Sequence, residues 1–197
     1  YPLRRQRQMC IRDRISVEQF EMHLKNNTIL NVMHHETVSN GDAFYIPKGR
    51  VHAIGAGVLL AEIQQTSNIT YRIYDYDRID AKTGKKRELH NDMALDVIDF
   101  EVYDNYKTDY SLEKNKSNKL VHSPYFKSNI LDINATVDKD YSTIDSFVIY
   151  MCVEGKLDLL SDGKIYSINK GETLLLPASI KKIELQSKGA KVLEVYY

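Results

Sequence analysis

Cysteine is scarce in this sequence: Cys10 and Cys152 are the two among 197 residues. They form neither a Cys-x-x-Cys pair nor a disulfide framework, which fits a reducing compartment such as the cytoplasm. Cys152 reads as a small apolar residue of a strand. An excess of either charge is lacking too. Twenty-seven Lys and Arg balance 27 Asp and Glu, so no global field draws the chain to nucleic acid or to an anionic membrane, and an anion site has to be local. No apolar run approaches the length of a transmembrane helix, and the Arg-rich N-terminus lacks the apolar segment of a secretory signal. The expected partners therefore include neither nucleic acid nor membrane. Glycine numbers nine, which makes the clustering of Gly41, Gly49, Gly55 and Gly57 informative: the backbone turns tightly and repeatedly there.

Apolar residues make up 43% of the chain, enough for a buried core in one large or two small domains. Tyr1 to Arg14 are foreign to the rest in composition, with Arg4, Arg5, Arg7, Arg12 and Arg14 packed together and no initiator Met. We treat 1–14 as a non-native tract and leave it out of the fold expectation. Ordered structure is expected from Ser16, where Ser16-Val17-Glu18-Gln19 is a capping box opening a short helix with Val17, Phe20 and Leu24 on one face. Asn27-Thr28 caps a second short helix carrying Ile29, Leu30 and Met33. His34-His35-Glu36 then leads to the Asn40-Gly41 turn; adjacent side chains diverge, so this run reads as a solvated face rather than a metal site. Asn91-Asp92 begins a helix with Met93, Ala94, Val97 and Ile98 inward. Lys85-Lys86-Arg87 reads as a solvated loop rather than a phosphate clamp. Residues 106–120 read as a linker.

From Tyr125 onward the pattern is of strands: Ile130 to Ala135, Ser146 to Val153, Lys156 to Leu160, Lys164 to Ile168, Glu172 to Leu176, Ile180 to Leu185 and Lys191 to Tyr196. Asp162-Gly163 joins two of them as a tight hairpin. This half repeats an earlier stretch. Gly171-Glu172-Thr173-Leu174-Leu175-Leu176-Pro177 reproduces Gly41-Asp42-Ala43-Phe44-Tyr45-Ile46-Pro47, and five residues past each proline stand Lys182 and His52. One copy has kept a metal-type residue and the other has not, so the second half is expected to pack as a scaffold with an apolar interior.

The earlier copy is the stretch that carries chemistry. A Gly-acidic turn, an apolar strand ending in Ile46-Pro47, a short loop and then His52 would point one imidazole into the mouth of a small β-barrel. Ile46-Pro47-x-Gly49-x-x-His52-Ala53, followed by Gln64-Gln65-Thr66-Ser67-x-x-Thr70-Tyr71-Arg72-x-Tyr74-Asp75, resembles the cupin-type (class I) mannose-6-phosphate isomerases of the short bacterial branch. The resemblance implies an all-β bicupin of jelly-roll barrels with short helical inserts. Its first barrel is incomplete over 15–105, and a second barrel without metal occupies 121–197. It also implies a sugar phosphate substrate, cytoplasmic location and one Zn2+ per chain in the intact protein, with His52 as one ligand and the others on strands upstream. Arg72 would face the same cavity and hold an enediolate oxygen or the phosphate; Asn68 stands where many relatives carry Asp. On this reading the chain is N-terminally truncated and inactive by itself.

Each residue also has a plainer reading. His52 can be structural, Arg72 can pair with Asp75 or Glu62 on a strand surface, and Tyr71, Tyr74 and Tyr76 can be strand packing. A non-catalytic sugar-binding or regulatory bicupin is the alternative function. A cupin oxygenase would need a second His near His52.

Overall fold

The computed structural model describes residues 7–11 (as backbone), 15–67 and 69–197. The chain divides into two compact units, one through Lys107 and one from Thr108.

In the first unit α1 (Val17–Lys25) starts as the capping box requires: Ser16 Oγ accepts from the Gln19 amide at 3.2 Å and Gln19 Oε1 accepts from the Ser16 amide at 2.9 Å. Phe20 is fully buried with Ile29, Val32 and Met33, and Leu24, Val51, Ala53, Ile73, Tyr74, Ile98 and Phe100 pack against them. The Phe100 ring meets Phe20 edge-on at 5.3 Å. The second expected helix is a single 3-10 turn, Ile29–Val32, because Met33 is already extended at φ −95, ψ 133. His34-His35-Glu36 consequently lies on a strand, β2 (Met33–Thr37). The tract left out of the expectation supplies β1 (Arg7–Ile11), which pairs antiparallel with β2 on one side and with β3 (Ala53–Ile54) on the other. The helix α2 (Asn91–Leu95) buries Ala94, but Met93 and Val97 are exposed; a five-residue helix turns too little surface toward a core to bury all four expected side chains.

Between β3 and α2 the described residues form no strand, only the isolated bridge Ile79↔Lys86. The strand on which Arg72 and Tyr71, Tyr74 and Tyr76 could have sat is therefore not formed, and Leu59 stands 85% exposed. Alternation assigns side chains to faces, but a strand also needs a partner for its amides and carbonyls.

The second unit is a curled eight-stranded sheet: β4 (Asn118–His122), β5 (Lys127–Ile133), β6 (Thr136–Asp140), β7 (Val148–Ser161), β8 (Lys164–Asn169), β9 (Thr173–Leu176), β10 (Lys182–Gln186) and β11 (Ala190–Tyr196). Its main order is β4-β5-β11-β7-β10-β6, with β8 and β9 paired to β7. Two expected strands are one: β7 runs through Gly155 (φ 74), and its register against β11 shifts between Lys191 and Val192. That bulge bends β7 so that its first half pairs with β9 and its second half with β8 and β10. Asp162 (φ 47) and Gly163 (φ 72) make the expected tight hairpin with both residues left-handed. The proposed linker is not structureless: β4 begins inside it. Asn118 is buried there, its Oδ1 accepting from the Glu113 amide and its Nδ2 donating to the Glu113 and Lys116 carbonyls.

The core of this unit is Leu131, Ile133, Val148, Tyr150, Cys152, Leu157, Leu159, Leu185 and Val192, all 1% exposed or less. The interior is not wholly apolar as expected: Glu194, 1% exposed, lies within it, ion-paired to Lys139.

Candidate functional site

Pro47, Lys48 and Gly49 turn the chain just before His52, with Arg50 N donating to the Pro47 carbonyl at 3.3 Å. Gly49 has φ +84, and a Cβ there would collide with the Val97 carbonyl oxygen; its own carbonyl accepts from Asp99 N at 2.9 Å. Only glycine satisfies both demands. Val51 and Ala53 anchor on the first unit's core on either side of His52, and His52 itself is exposed. Its Nδ1 lies 3.0 Å from the Arg50 carbonyl oxygen. A carbonyl only accepts, so Nδ1 carries the proton, and in the neutral ring Nε2 presents its lone pair. This is how histidines that ligate metals are oriented.

Arg72 is half-buried, flanked by Ile73 and Tyr74, which pack on the same core. Its backbone clasps His90: His90 N donates to the Arg72 carbonyl at 2.7 Å and Arg72 N donates to His90 Nδ1 at 3.1 Å. The guanidinium donates to the Glu88 carbonyl at 3.3 Å. The surface pair with Asp75 gives way to a different arrangement, because Asp75 is 7% exposed and bracketed by Arg78 and Arg87, Arg87 Nε donating to Oδ2 at 2.8 Å. The hydrogen bond from Arg87, with further help from Arg78, overcomes burial and holds the Asp75 pKa at about 2. Lys86 pairs with Asp77 at 2.6 Å. The basic run is exposed, as a solvated loop should be, but Arg87 is engaged by the buried Asp75 and Lys86 by the exposed Asp77. Tyr74 and Tyr76 meet edge-on at 4.9 Å, the packing reading, whereas Tyr71 tilts over His90 at 6.2 Å. Asn68 lies outside the described residues.

A second cluster in this unit escaped the sequence reading. The Arg50 guanidinium sits 4.4 Å from the centre of the Tyr103 ring and 5.7 Å from that of Tyr106, and His34 stacks on Tyr106 at 5.5 Å. His34 Nε2 lies 3.0 Å from Glu36 Oε2. Lys107 pairs with Asp42 at 2.9 Å and Glu36 at 3.6 Å, and Asp42 Oδ2 accepts from Ser39 N. The period-2 spacing of His34 and Glu36 was the signal available, since it places them on one face of a strand.

For a divalent metal this unit offers His52 Nε2. Among the described residues no group of three or more His, Cys, Asp or Glu side chains is placed to hold a metal ion, short of the roughly three protein ligands of a catalytic zinc site. In the second unit the position matching His52 is Lys182, whose side chain is 78% exposed and 3.8 Å from Asp140. No described helix is long and apolar enough to cross a membrane.

Residues 116–196 match the model of the mannose-6-phosphate isomerase cupin domain. Mannose-6-phosphate isomerase ManA of Bacillus subtilis is 34% identical over 151 residues, which covers 76% of this chain and 47% of that protein. Mannose-6-phosphate isomerase of Streptococcus mutans is 35% identical over 145 residues, 73% of this chain and 45% of that protein. The chain therefore spans about half the length of the curated relatives it matches. The crystal structure of the mannose 6-phosphate isomerase from Bacillus subtilis aligns with a TM-score of 0.82 at 29% identity, over 97% of this chain and 60% of that one. A putative mannosephosphate isomerase from Archaeoglobus fulgidus, TM-score 0.65 at 15% identity over 98% of this chain and 58% of that one, shares the fold. With the cupin-domain match covering residues 116–196 and relatives at 34–35% identity running across both units, the C-terminal strands match a mannose-6-phosphate isomerase cupin domain and the chain as a whole is similar to mannose-6-phosphate isomerases.

Proposed function

We propose that this chain carries part of the site at which mannose 6-phosphate and fructose 6-phosphate are interconverted in the cytoplasm, with His52 as one ligand of a zinc ion and Arg72 as the cationic residue of the cavity. The observation that carries the reading is the orientation of His52: Nδ1–H donates to the Arg50 carbonyl, and in the neutral ring the Nε2 lone pair is left for a metal. Aldose–ketose isomerisation removes a proton from the carbon beside a carbonyl, so negative charge develops on the neighbouring oxygens. Zinc, when bound, supplies a Lewis acid for those oxygens. One nitrogen is too few to define such a site. Arg72 supplies a permanently charged planar donor fork for an enediolate oxygen or for the phosphate. Its tether to the Glu88 carbonyl and the His90 clasp fix the segment from which it extends.

The same scarcity of ligands favours a second reading, a sugar-binding or regulatory cupin without catalysis. A chimera joining the unmatched part of Bacillus subtilis ManA to this chain separates the two. The first reading predicts zinc near one per chain and isomerase activity in a coupled fructose 6-phosphate assay, neither of them shown by the chain alone. Arg72→Lys in the chimera should lower kcat more than it raises KM if the fork holds the enediolate, and chiefly raise KM if it holds phosphate. A chimera that binds mannose 6-phosphate without turning it over would support the second reading.

A further inference from the structure

The second unit holds a buried ionic cluster that the isomerase reading does not use. Glu194 Oε1 is 2.6 Å from Lys139 Nζ and accepts from the Tyr141 hydroxyl at 2.5 Å, with the Tyr150 hydroxyl at 3.4 Å. Glu194 Oε2 accepts from Ser117 Oγ and from Asn129 Nδ2, both at 2.8 Å. Lys139 Nζ also donates to Ser117 Oγ at 2.6 Å and lies 5.5 Å from the centre of the Tyr141 ring. These groups come from distant parts of the sheet. Lys139 is on β6 and Ser117 immediately precedes β4, the two end strands of the order β4-β5-β11-β7-β10-β6, while Glu194 is on interior strand β11. The ammonium thus ties both ends of the curled sheet to one carboxylate. A cavity of about 270 Å³ opens beside it, and the Lys139 side chain keeps 16% exposure, so the site is reachable from solvent.

We propose that this cluster is a primary-ammonium site, filled by the chain's own Lys139. The chemistry selects that class of cation. A carboxylate and a hydroxyl oxygen accept two N–H bonds, and an aromatic face sits within cation–π range. A divalent cation would need several more oxygen or nitrogen ligands, and no group of three metal-type side chains exists among the described residues. Burial works to raise the Glu194 pKa, but the Lys139 charge and the hydrogen bonds from Lys139, Tyr141 and Asn129 outweigh it and keep the carboxyl below its ordinary value. The anion is therefore built to persist and to require a counter-cation. Deleting the lysine stem should leave a vacant pocket with one uncompensated negative charge, which a small amine from solution can occupy.

The test is thermal unfolding of the full chain carrying Lys139→Ala. Loss of the buried partner should lower the transition by about 10 °C. n-Propylammonium chloride should restore several degrees in a saturable way, whereas tetramethylammonium, which has no N–H, and zinc should not. The variant Lys139→Met with Glu194→Gln, which removes both charges, should fold and ignore the amine. If Lys139→Ala does not fold alone, refolding in propylammonium against matched sodium chloride reads the same site through the yield of folded protein. Equal responses to propylammonium and tetramethylammonium, a response to zinc instead, or no amine response by either readout would overturn the proposal.

Discussion

The two units use similar sequence patterns to different ends. In the second, Gly171 to Pro177 leads through β9 into an eight-stranded sheet whose core side chains are almost wholly buried. In the first, Gly41 to Pro47 leads to His52 beside a three-stranded sheet, with a core centred on Phe20, Ile29, Val32 and Met33. Where the second has β-ladders on both sides of β7 and β11, the first leaves Leu59, Leu60 and Ile69 exposed on a segment without a ladder. The pairing of the repeats shows that a β-pattern becomes a barrel wall only when every strand finds its neighbours. The unit that kept the metal-type residue is the one with the thinner frame.

The comparison predicts unequal sensitivity to truncation of leucines. Leu185→Ala, at a fully buried position, should cost about 2–5 kcal/mol in denaturant unfolding of the full chain, while Leu59→Ser should change stability by no more than about 0.5 kcal/mol. Similar costs at the two positions would erase the distinction drawn between the units. A smaller effect lies at the helix start of the first unit. Ser16→Ala removes the acceptor of the Gln19 amide and should cost about 1 kcal/mol, visible as a loss of helical ellipticity in the same unfolding series.

Acid should also act on the first unit through Asp75. Its folded pKa of about 2 lies below the value of about 3.9 for an unfolded aspartate. The associated stability is therefore fully present above about pH 4 and is lost as pH falls through about 2. Unfolding measured at pH 5 and at pH 2 should show a smaller difference for Asp75→Asn than for the parent chain; an unchanged difference would remove Asp75 as a source of the acid dependence.

Local signals were legible where a few neighbouring residues decide the outcome. The capping box at Ser16 and the Asp162-Gly163 hairpin formed as read, because each is settled by backbone sterics and hydrogen bonds within four residues. The orientation of His52 is local in the same way, set by the Arg50 carbonyl two residues before it, whereas the demand for glycine at 49 also comes from the distant Val97 and Asp99 backbone. Long-range pairing was not legible. Nothing local in Arg7–Ile11 marks it as the strand between β2 and β3, and nothing local around Tyr71 to Tyr76 reveals that this stretch finds no ladder. Glu194 was passed over inside Val192-Leu193-Glu194-Val195, although alternation puts it on the face of the fully buried Val192. Its partners stand 77, 65, 55, 53 and 44 positions away at Ser117, Asn129, Lys139, Tyr141 and Tyr150. The Arg50–Tyr103–Tyr106–His34 cluster is hidden likewise, since it joins the motif loop to residues read as the approach to a linker.

The central claim is that the chemistry belongs to the first unit and that its counterpart in the second has been given up. His52→Ala and Lys182→Ala, each made in the chimera with Bacillus subtilis ManA and measured in the coupled isomerase assay, address it directly. The account predicts that His52→Ala abolishes both isomerisation and bound zinc, while Lys182→Ala, at an exposed position paired only loosely with Asp140, leaves both unchanged. Full activity in His52→Ala, or loss of activity and zinc in a folded Lys182→Ala, would contradict it.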